Sequence, residues 1–442
     1  MKKNLLYFFL LLYTFSIYAQ DGFHFVENSS KLSIPFKLIN NLVFIPLNVN
    51  GVELTFLLDS GVEETILFGL EDKKEINLKN IEKISLKGLG SEDAIEGLKS
   101  TGNILSIKGM ESTNHLLYII LNQDFNLSSH IGIPVNGIIG YSLFKKNLVE
   151  INYEKKRVFF YKENDKNRNR IEKKYEKLPI TIERSKPYVI ANIKIDTAKV
   201  ASKLLVDIGN SDAVWLFQHV SDEIKVPNKN YEDYLGKGFS GDVEGRRARI
   251  SEFMISDFKF SNLIVAFPDS NSIKHVKMVP NRLGSVGGEI LKRFNIVFDY
   301  ANENIFLKKN KEYYAPFNYN KSGIEIRHSG MQWVKETVHL QTVSVLVDPY
   351  EPQMDKKASD FQYKFKLKPV YEIANIRKKS PAELSGLQMD DVIISINNIP
   401  ANRYTLQQIN SFLKTEEEKW ITLEVERDGM RLKFRFQLTN IL

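Results

Sequence analysis

Cysteine is absent from all 442 residues. That excludes disulfide staples, thiol nucleophiles, cysteine metal sites and lipidation on an N-terminal cysteine. After residue 20 no run is long and apolar enough to span a bilayer. The seven histidines, at 24, 115, 130, 219, 275, 328 and 339, lack metal-ligand spacing such as His-Glu-x-x-His. Surface or hydrogen-bonded core histidines are the expectation, and no metal is expected. No Gly-x-Ser-x-Gly elbow occurs, so a serine-hydrolase nucleophile is not indicated. The net charge of +7 is modest, and its lysines and arginines are mixed with acids. Residues 162–170, for example, read as a solvated linker. Basic residues there are not interleaved with stacking aromatics, so no nucleic-acid partner is expected.

What is present begins with Lys2-Lys3, the apolar run from Leu5 to Tyr13, and a cleavage region ending at Ala19. Residues 1–19 read as a signal peptide, which predicts a periplasmic or secreted protein with no stable membrane insertion after cleavage. The length predicts two or three domains. Short runs of Val, Ile, Phe and Tyr broken by Gly, Asn and Asp predict a mainly β chain.

Two segments are copies of each other: Leu57-Leu58-Asp59-Ser60-Gly61-Val62 and Leu205-Val206-Asp207-Ile208-Gly209-Asn210. Each places a carboxylate at the end of an apolar strand, where it is costly to desolvate. The duplication extends downstream. Gly137-Ile138-Ile139-Gly140 matches Gly284-Ser285-Val286-Gly287, and Tyr153 matches Tyr300. Asp59 to Gly140 spans 81 residues and Asp207 to Gly287 spans 80, while both glycine-to-tyrosine spacings are 13. A repeat of this period predicts two similar lobes. Two carboxylates in matching contexts suit a pair that shares one proton and activates a water.

These matched elements resemble the bilobal pepsin/retropepsin-like aspartic peptidases, of the bacterial kind that carry a C-terminal PDZ domain. The resemblance covers roughly residues 30 to 310 and implies two similar closed, barrel-like β lobes, at 30–165 and 175–310. It implies catalysis by Asp59 and Asp207, with Ser60, Gly61, Ile208, Gly209 and Asn210 shaping the loops, and no cofactor. The chain departs from the family at Ile208, where a hydroxyl usually locks the two loops together. Val62 cannot donate to a carboxylate, whereas Asn210 can. The alternative reading is a noncatalytic periplasmic peptide-binding or chaperone-like protein that keeps the fold.

Each lobe also has a glycine-studded stretch, with Gly88 and Gly90 in one and Gly236, Gly238 and Gly241 in the other. Both suit either a flap over a cleft or a plain surface hairpin. The Gly236-x-Gly238-x-x-Gly241 spacing lacks the strand-before, helix-after setting of a dinucleotide site, so no nucleotide is expected.

The C-terminal region reads Ser380-Pro381-Ala382-Glu383-Leu384-Ser385-Gly386-Leu387, then Asp391-Val392-Ile393. Ser380 caps a helix beginning at Pro381 and Gly386 ends it. This pattern resembles a permuted bacterial PDZ domain, an α+β module at 363–440 that takes an extended peptide as an added strand. Groove candidates are Phe365, Leu367, Leu406 and Ile409, and these positions equally suit a core. Residues 311–362 read as connecting strands and a linker. The sequence thus predicts an aspartic endopeptidase acting on unfolded or extended polypeptides, with a PDZ domain for peptide capture.

Overall fold

A computed structural model describes residues 22–26, 28–70, 75–86, 95–121, 127–238, 241–274, 276–339, 361–415 and 419–442. The expected signal peptide, Gly88, Gly90 and the expected linker at 348–360 lie outside the described residues.

Alternating apolar residues build the first lobe. Its strands are β1 (Lys37–Ile39), β2 (Leu42–Val49), β3 (Val52–Leu58), β4 (Thr65–Leu67), β5 (Ile95–Ile107), β6 (Met110–Ile120) and β7 (Gly137–Ile139). β7 inserts parallel to β3 and antiparallel to β4. The ring β2-β3-β7-β4-β6-β5 closes through β5 back onto β2. A short helix, α1 (Tyr141–Phe144), follows β7, and then come β8 (Leu148–Asn152) and β9 (Arg157–Tyr161).

Residues 162–170 are mostly exposed, as expected of a solvated linker, but they are ordered. Most of them lie in helix α2 (Asp165–Glu172), capped by the Asn164 side chain, which accepts from Asn167 N–H. Arg168 is held by Glu163 and by the buried Asp299. Charge patterning missed this because the partner carboxylate lies 131 residues away.

The second lobe repeats the first. β10 (Thr181–Glu183), β11 (Lys186–Ile195), β12 (Ala198–Val206), β13 (Val214–Leu216), β14 (Asn230–Gly238), β15 (Gly241–Ile255), β16 (Phe258–Pro268) and β17 (Arg282–Val286) lead to helix α3 (Gly288–Leu291). β17 inserts parallel to β12 and antiparallel to β13, as β7 does in lobe one. The ring β11-β12-β17-β13-β16-β15 closes through β15 onto β11. Then β18 (Phe294–Asp299) and β19 (Asn304–Lys309) form a hairpin. β8 pairs with β18, Val149 opposite Phe298 and Ile151 opposite Ile296, so a strand from each lobe meets in one six-stranded sheet. Val149, Ile151, Ile296 and Phe298 at that junction belong to one continuous core running through both lobes, while Leu148 and Val297 pack in a separate cluster. The chain is thus mainly β, with two similar lobes, but these are a single compact unit. It comprises the described residues up to Leu127, Pro134–Phe317 and Leu442.

The second unit comprises Ser128–Ile133 and Asn318–Ile441. It begins earlier than the expected boundary at 363. β20 (Ile324–His339) pairs along its whole length with β21 (Phe361–Ile376), so residues read as connecting strands belong to this unit. Helix α4 (Pro381–Leu384), β22 (Val392–Ile396), helix α5 (Leu406–Leu413), β23 (Trp420–Arg427) and β24 (Met430–Gln437) complete it. Local signals hold here. The Ser380 side chain accepts from Glu383 N–H, and Gly386 takes φ of 96°. Thr405 and Gln408 form a reciprocal capping box on α5. Leu406, Ile409 and Leu413, which face inward, are core residues. Leu406 and Ile409 are therefore not free to line a groove, because the amphipathic face of α5 is spent on this unit's own core. Phe365 and Leu367 are 60% and 48% exposed on the β20–β21 ribbon.

Candidate active site

Asp59 and Asp207 follow the last residues of β3 and β12. Each backbone N–H donates to a strand of the inserted element, Asp59 to Ile139 O and Asp207 to Val286 O, both at 2.9 Å. The two carboxyls face each other closely enough to act on one another directly. Each is also held by its own loop. Gly61 N–H donates to Asp59 Oδ1 at 2.6 Å and Gly209 N–H to Asp207 Oδ1 at 3.0 Å.

Glycine is required at 209 and closely fitted at 61. A Cβ on Gly209 would lie 2.2 Å from Asp59 Cγ, and one on Gly61 would lie 3.0 Å from Asp207 Oδ1. Each carboxyl therefore rests on the glycine of the opposite loop. The matched Gly140 and Gly287 pack in the same way against loop carbonyls, with a Cβ 2.3 Å from Asp59 O and 2.4 Å from Asp212 O respectively.

Ser60 ties the two loops together. Its hydroxyl donates to Val206 O at 2.6 Å and accepts Ile208 N–H at 3.1 Å, in full burial. Ile208 offers no reciprocal hydroxyl. Its side chain is fully buried in the continuous core instead. Asn210 does not reach a carboxylate. Its Nδ2 donates to Ser285 Oγ at 3.2 Å and its Oδ1 accepts Asp212 N–H at 2.9 Å, so it shapes the loop.

Two turns missed in the sequence brace the pair. The Asn40-Asn41 turn of lobe one has positive φ at both residues, and so does the Arg184-Ser185 turn of lobe two. Asn41 Nδ2 donates to Ser211 O at 2.8 Å and to Glu289 Oε2 at 2.9 Å, both in lobe two. Ser185 Oγ donates to Glu63 Oε1 in lobe one at 3.1 Å. The Asn-Asn dipeptide is a readable turn signal, but its partners are not.

Electrostatics separate the two carboxyls. Burial pushes Asp59 well above the ordinary carboxylate range, and the neighbouring Asp207 charge pushes it further. Burial also raises Asp207, but the Arg282 guanidinium pulls it back, aided by Lys186. Tyr300, the repeat partner of Tyr153, is likewise pushed up by burial and then by both aspartates. Neither Arg282 nor Lys186 was singled out from sequence, because isolated basic residues carry no local signal.

In lobe two, β14 and β15 form the expected glycine-containing hairpin, with Gly238 opposite Gly241 and a register shift between Tyr234 and Gly236. A strand on each side again rules against a dinucleotide loop. Arg247 of this hairpin bonds Asp233 and Asp212, both at 2.7 Å, and Trp215 Nε1 donates to the same Asp212 at 2.7 Å. The hairpin is thereby tied to the loop that carries Asp207.

His115 is fully buried between Thr65 Oγ1 and Ser112 Oγ, each at 2.8 Å, and burial pushes it down to about 3. It is a neutral, satisfied core histidine. Among the described residues no group of His, Asp and Glu is placed to hold a metal ion. None of the described helices is long and apolar enough to cross a membrane.

Comparison with known proteins assigns one part of the chain. Residues 372–427 match the PDZ domain family. No curated protein matches the sequence. Among solved structures, the chain is similar to an aspartic proteinase from Irpex lacteus at 12% identity and a TM-score of 0.40. The match covers 64% of this chain and 99% of that one.

Proposed function

We propose that the chain is an aspartic endopeptidase that hydrolyses unfolded or extended polypeptides between Asp59 and Asp207. The observation that carries this reading is the facing pair of half-buried carboxyls, each seated on the other loop's glycine. Such a pair favours a state with one proton. Arg282 acts on Asp207 and not on Asp59, so this reading assigns the remaining negative charge to Asp207 and the proton to Asp59.

In the proposed step, Asp207 takes a proton from a water while the water oxygen attacks the scissile carbonyl carbon. Asp59 gives its proton to the carbonyl oxygen, and a neutral gem-diol forms. Asp207 then protonates the departing amide nitrogen as the carbon–nitrogen bond breaks. Asp59 recovers a proton from a diol hydroxyl, which restores the starting state. The PDZ domain supplies a second polypeptide-binding surface on the same chain, which raises the local concentration of a long substrate. The reading carries with it a secreted or periplasmic location.

A second reading, peptide binding without cleavage, is favoured by Ile208, whose side chain leaves the loop bridge one-sided. One experiment separates the two. The chain lacking residues 1–19 is incubated with unfolded polypeptide over a broad pH range, beside Asp59→Asn and Asp207→Asn. Cleavage by the parent and by neither variant supports the endopeptidase. Binding without cleavage by all three supports the second reading.

A further inference from the structure

The two lobes are copies in backbone but not in the walls beside their aspartates. Leu57 and Leu205 each lie two residues before an aspartate, so alternation puts them on the aspartate's side of the sheet. Both are buried, but neither belongs to the continuous core, which takes Phe56, Leu58, Leu204 and Val206; Leu205 packs instead in a small cluster with Tyr188 and Val279. In lobe one, Leu57 is flanked by Phe44 on β2 and Ile138 on β7. In lobe two, Leu205 is flanked by Tyr188 on β11 and Ser285 on β17. Continuing the strand register places Leu42 opposite Asp59, and Lys186 opposite Asp207.

The last difference is made by a bulge. Two residues before the first glycine of each inserted strand stands Val135 in lobe one and Arg282 in lobe two. β17 skips register at Leu283, so that Arg282 pairs with Lys203 while Gly284 pairs with Leu204. This turns Arg282 onto the face of Lys203 and Leu205, beside Asp207, and sends Leu283 toward the core. Arg282 is only 8% exposed. Its guanidinium lies 5.2 Å from the Phe217 ring centre and its Nε donates to Gly284 O at 3.0 Å. Among the described residues, no acceptor takes a hydrogen bond from its terminal nitrogens. Lys203 on the same face is paired with Glu183 at 2.5 Å, so its charge is spent. A largely buried guanidinium whose terminal nitrogens still reach solvent is free to take a carboxylate in bidentate fashion.

We infer that the wall of lobe two beside Asp207 is a subsite for an acidic side chain, bound by Arg282 with Lys186 adding to the field, while the matching wall of lobe one takes an apolar side chain. This rests on the endopeptidase reading and specifies its substrate: a peptide with an acidic residue on one fixed side of the scissile bond and an apolar residue on the other.

The test uses the chain lacking residues 1–19 and peptide pairs that differ only as Glu against Gln, or Asp against Asn, at one of the two positions flanking the cleaved bond. The acidic member is expected to have at least about tenfold higher kcat/KM at one position only. Arg282→Gln is expected to bring the ratio close to one, Arg282→Lys to keep part of it, and Lys186→Gln to lower it by a smaller factor. Should Arg282→Gln fail to fold, the other two variants still report. Two results overturn the subsite: cleavage by the parent with no acid preference, or rates in the Arg282 variants that fall equally for both members of each pair. The latter marks Arg282 as a counter-charge for the aspartates alone. Affinities of the same pairs for Asp59→Asn are measured alongside. Tighter binding of the acidic member there supports the subsite even if the parent cleaves nothing, which would sink only the endopeptidase reading. Equal affinities overturn the subsite whether or not the parent cleaves.

Discussion

Replacing Ser60 with alanine removes one oxygen from the point where the two aspartate loops meet. In the parent, that hydroxyl serves Val206 O at 2.6 Å and Ile208 N–H at 3.1 Å, and both belong to the opposite lobe. Ser60 and Ile208 are fully buried, so water cannot replace the lost partner without opening the core. The variant therefore leaves one carbonyl and one N–H unsatisfied, at about 1–3 kcal/mol each. Partial relaxation of the loops brings the expected loss to about 2–4 kcal/mol, a large fraction of the total for an ordinary domain. A serine that merely capped a local turn would cost about 1 kcal/mol or less. The assay is urea unfolding followed by Trp215 fluorescence. Trp333 and Trp420 are well exposed on the second unit, so both are first replaced by Phe. Activity on a short peptide is expected to fall as well, because the bridge sets how the two carboxyls meet. A loss below about 0.5 kcal/mol with an unchanged rate would refute the idea that Ser60 holds the lobes in register.

Asp59→Asn should stabilise the protein at neutral pH. The folded carboxyl is raised by burial and then by Asp207, so the folded chain keeps a proton that the unfolded chain releases above about pH 4. Parent stability thus falls as pH climbs from there toward the folded pKa, and asparagine does not titrate. The melting-temperature gap should be small near pH 3 and widen toward pH 7, and a gap constant with pH would contradict it. Ile208→Thr exchanges buried apolar atoms for a hydroxyl and should cost about 1–2 kcal/mol in the same urea assay; a gain would mean that the hydroxyl completes the bridge. A chain ending at Phe317 lacks most of the second unit. It should cleave short peptides nearly as well as the parent and long unfolded substrates more slowly, as rates on both classes would reveal. Equal loss on both would make the PDZ domain a structural support.

The position of the aspartate loops was readable because their signals are local and repeated. An apolar strand, an acid and a glycine recur with downstream spacings of 81 and 80 residues. The α4 cap and the Gly386 stop were readable for the same reason, since neighbours in sequence supply the hydrogen bonds. Reading failed where the partner is distant. Residues 324–339 match no motif alone, and only pairing with β21 places them in the second unit. The apolar stripe of α5 did not reveal whether Leu406 and Ile409 meet a groove or a core, because both bury the same side chains.

The sequence by itself determined the duplication, the two carboxylates and the PDZ pattern, because residue identity and spacing suffice for each. Tertiary structure decided what stands around the carboxylates. It brought Ser60 to backbone groups 146 and 148 residues away, and it put Ile208 into the core rather than into the bridge. It also turned Arg282 toward Asp207 through one bulge at Leu283. Strand side chains alternate with a period of two, so a single extra residue moves a side chain from one face of the sheet to the other. No reading of the linear chain specifies such a shift, because it is set by pairing between strands far apart in sequence.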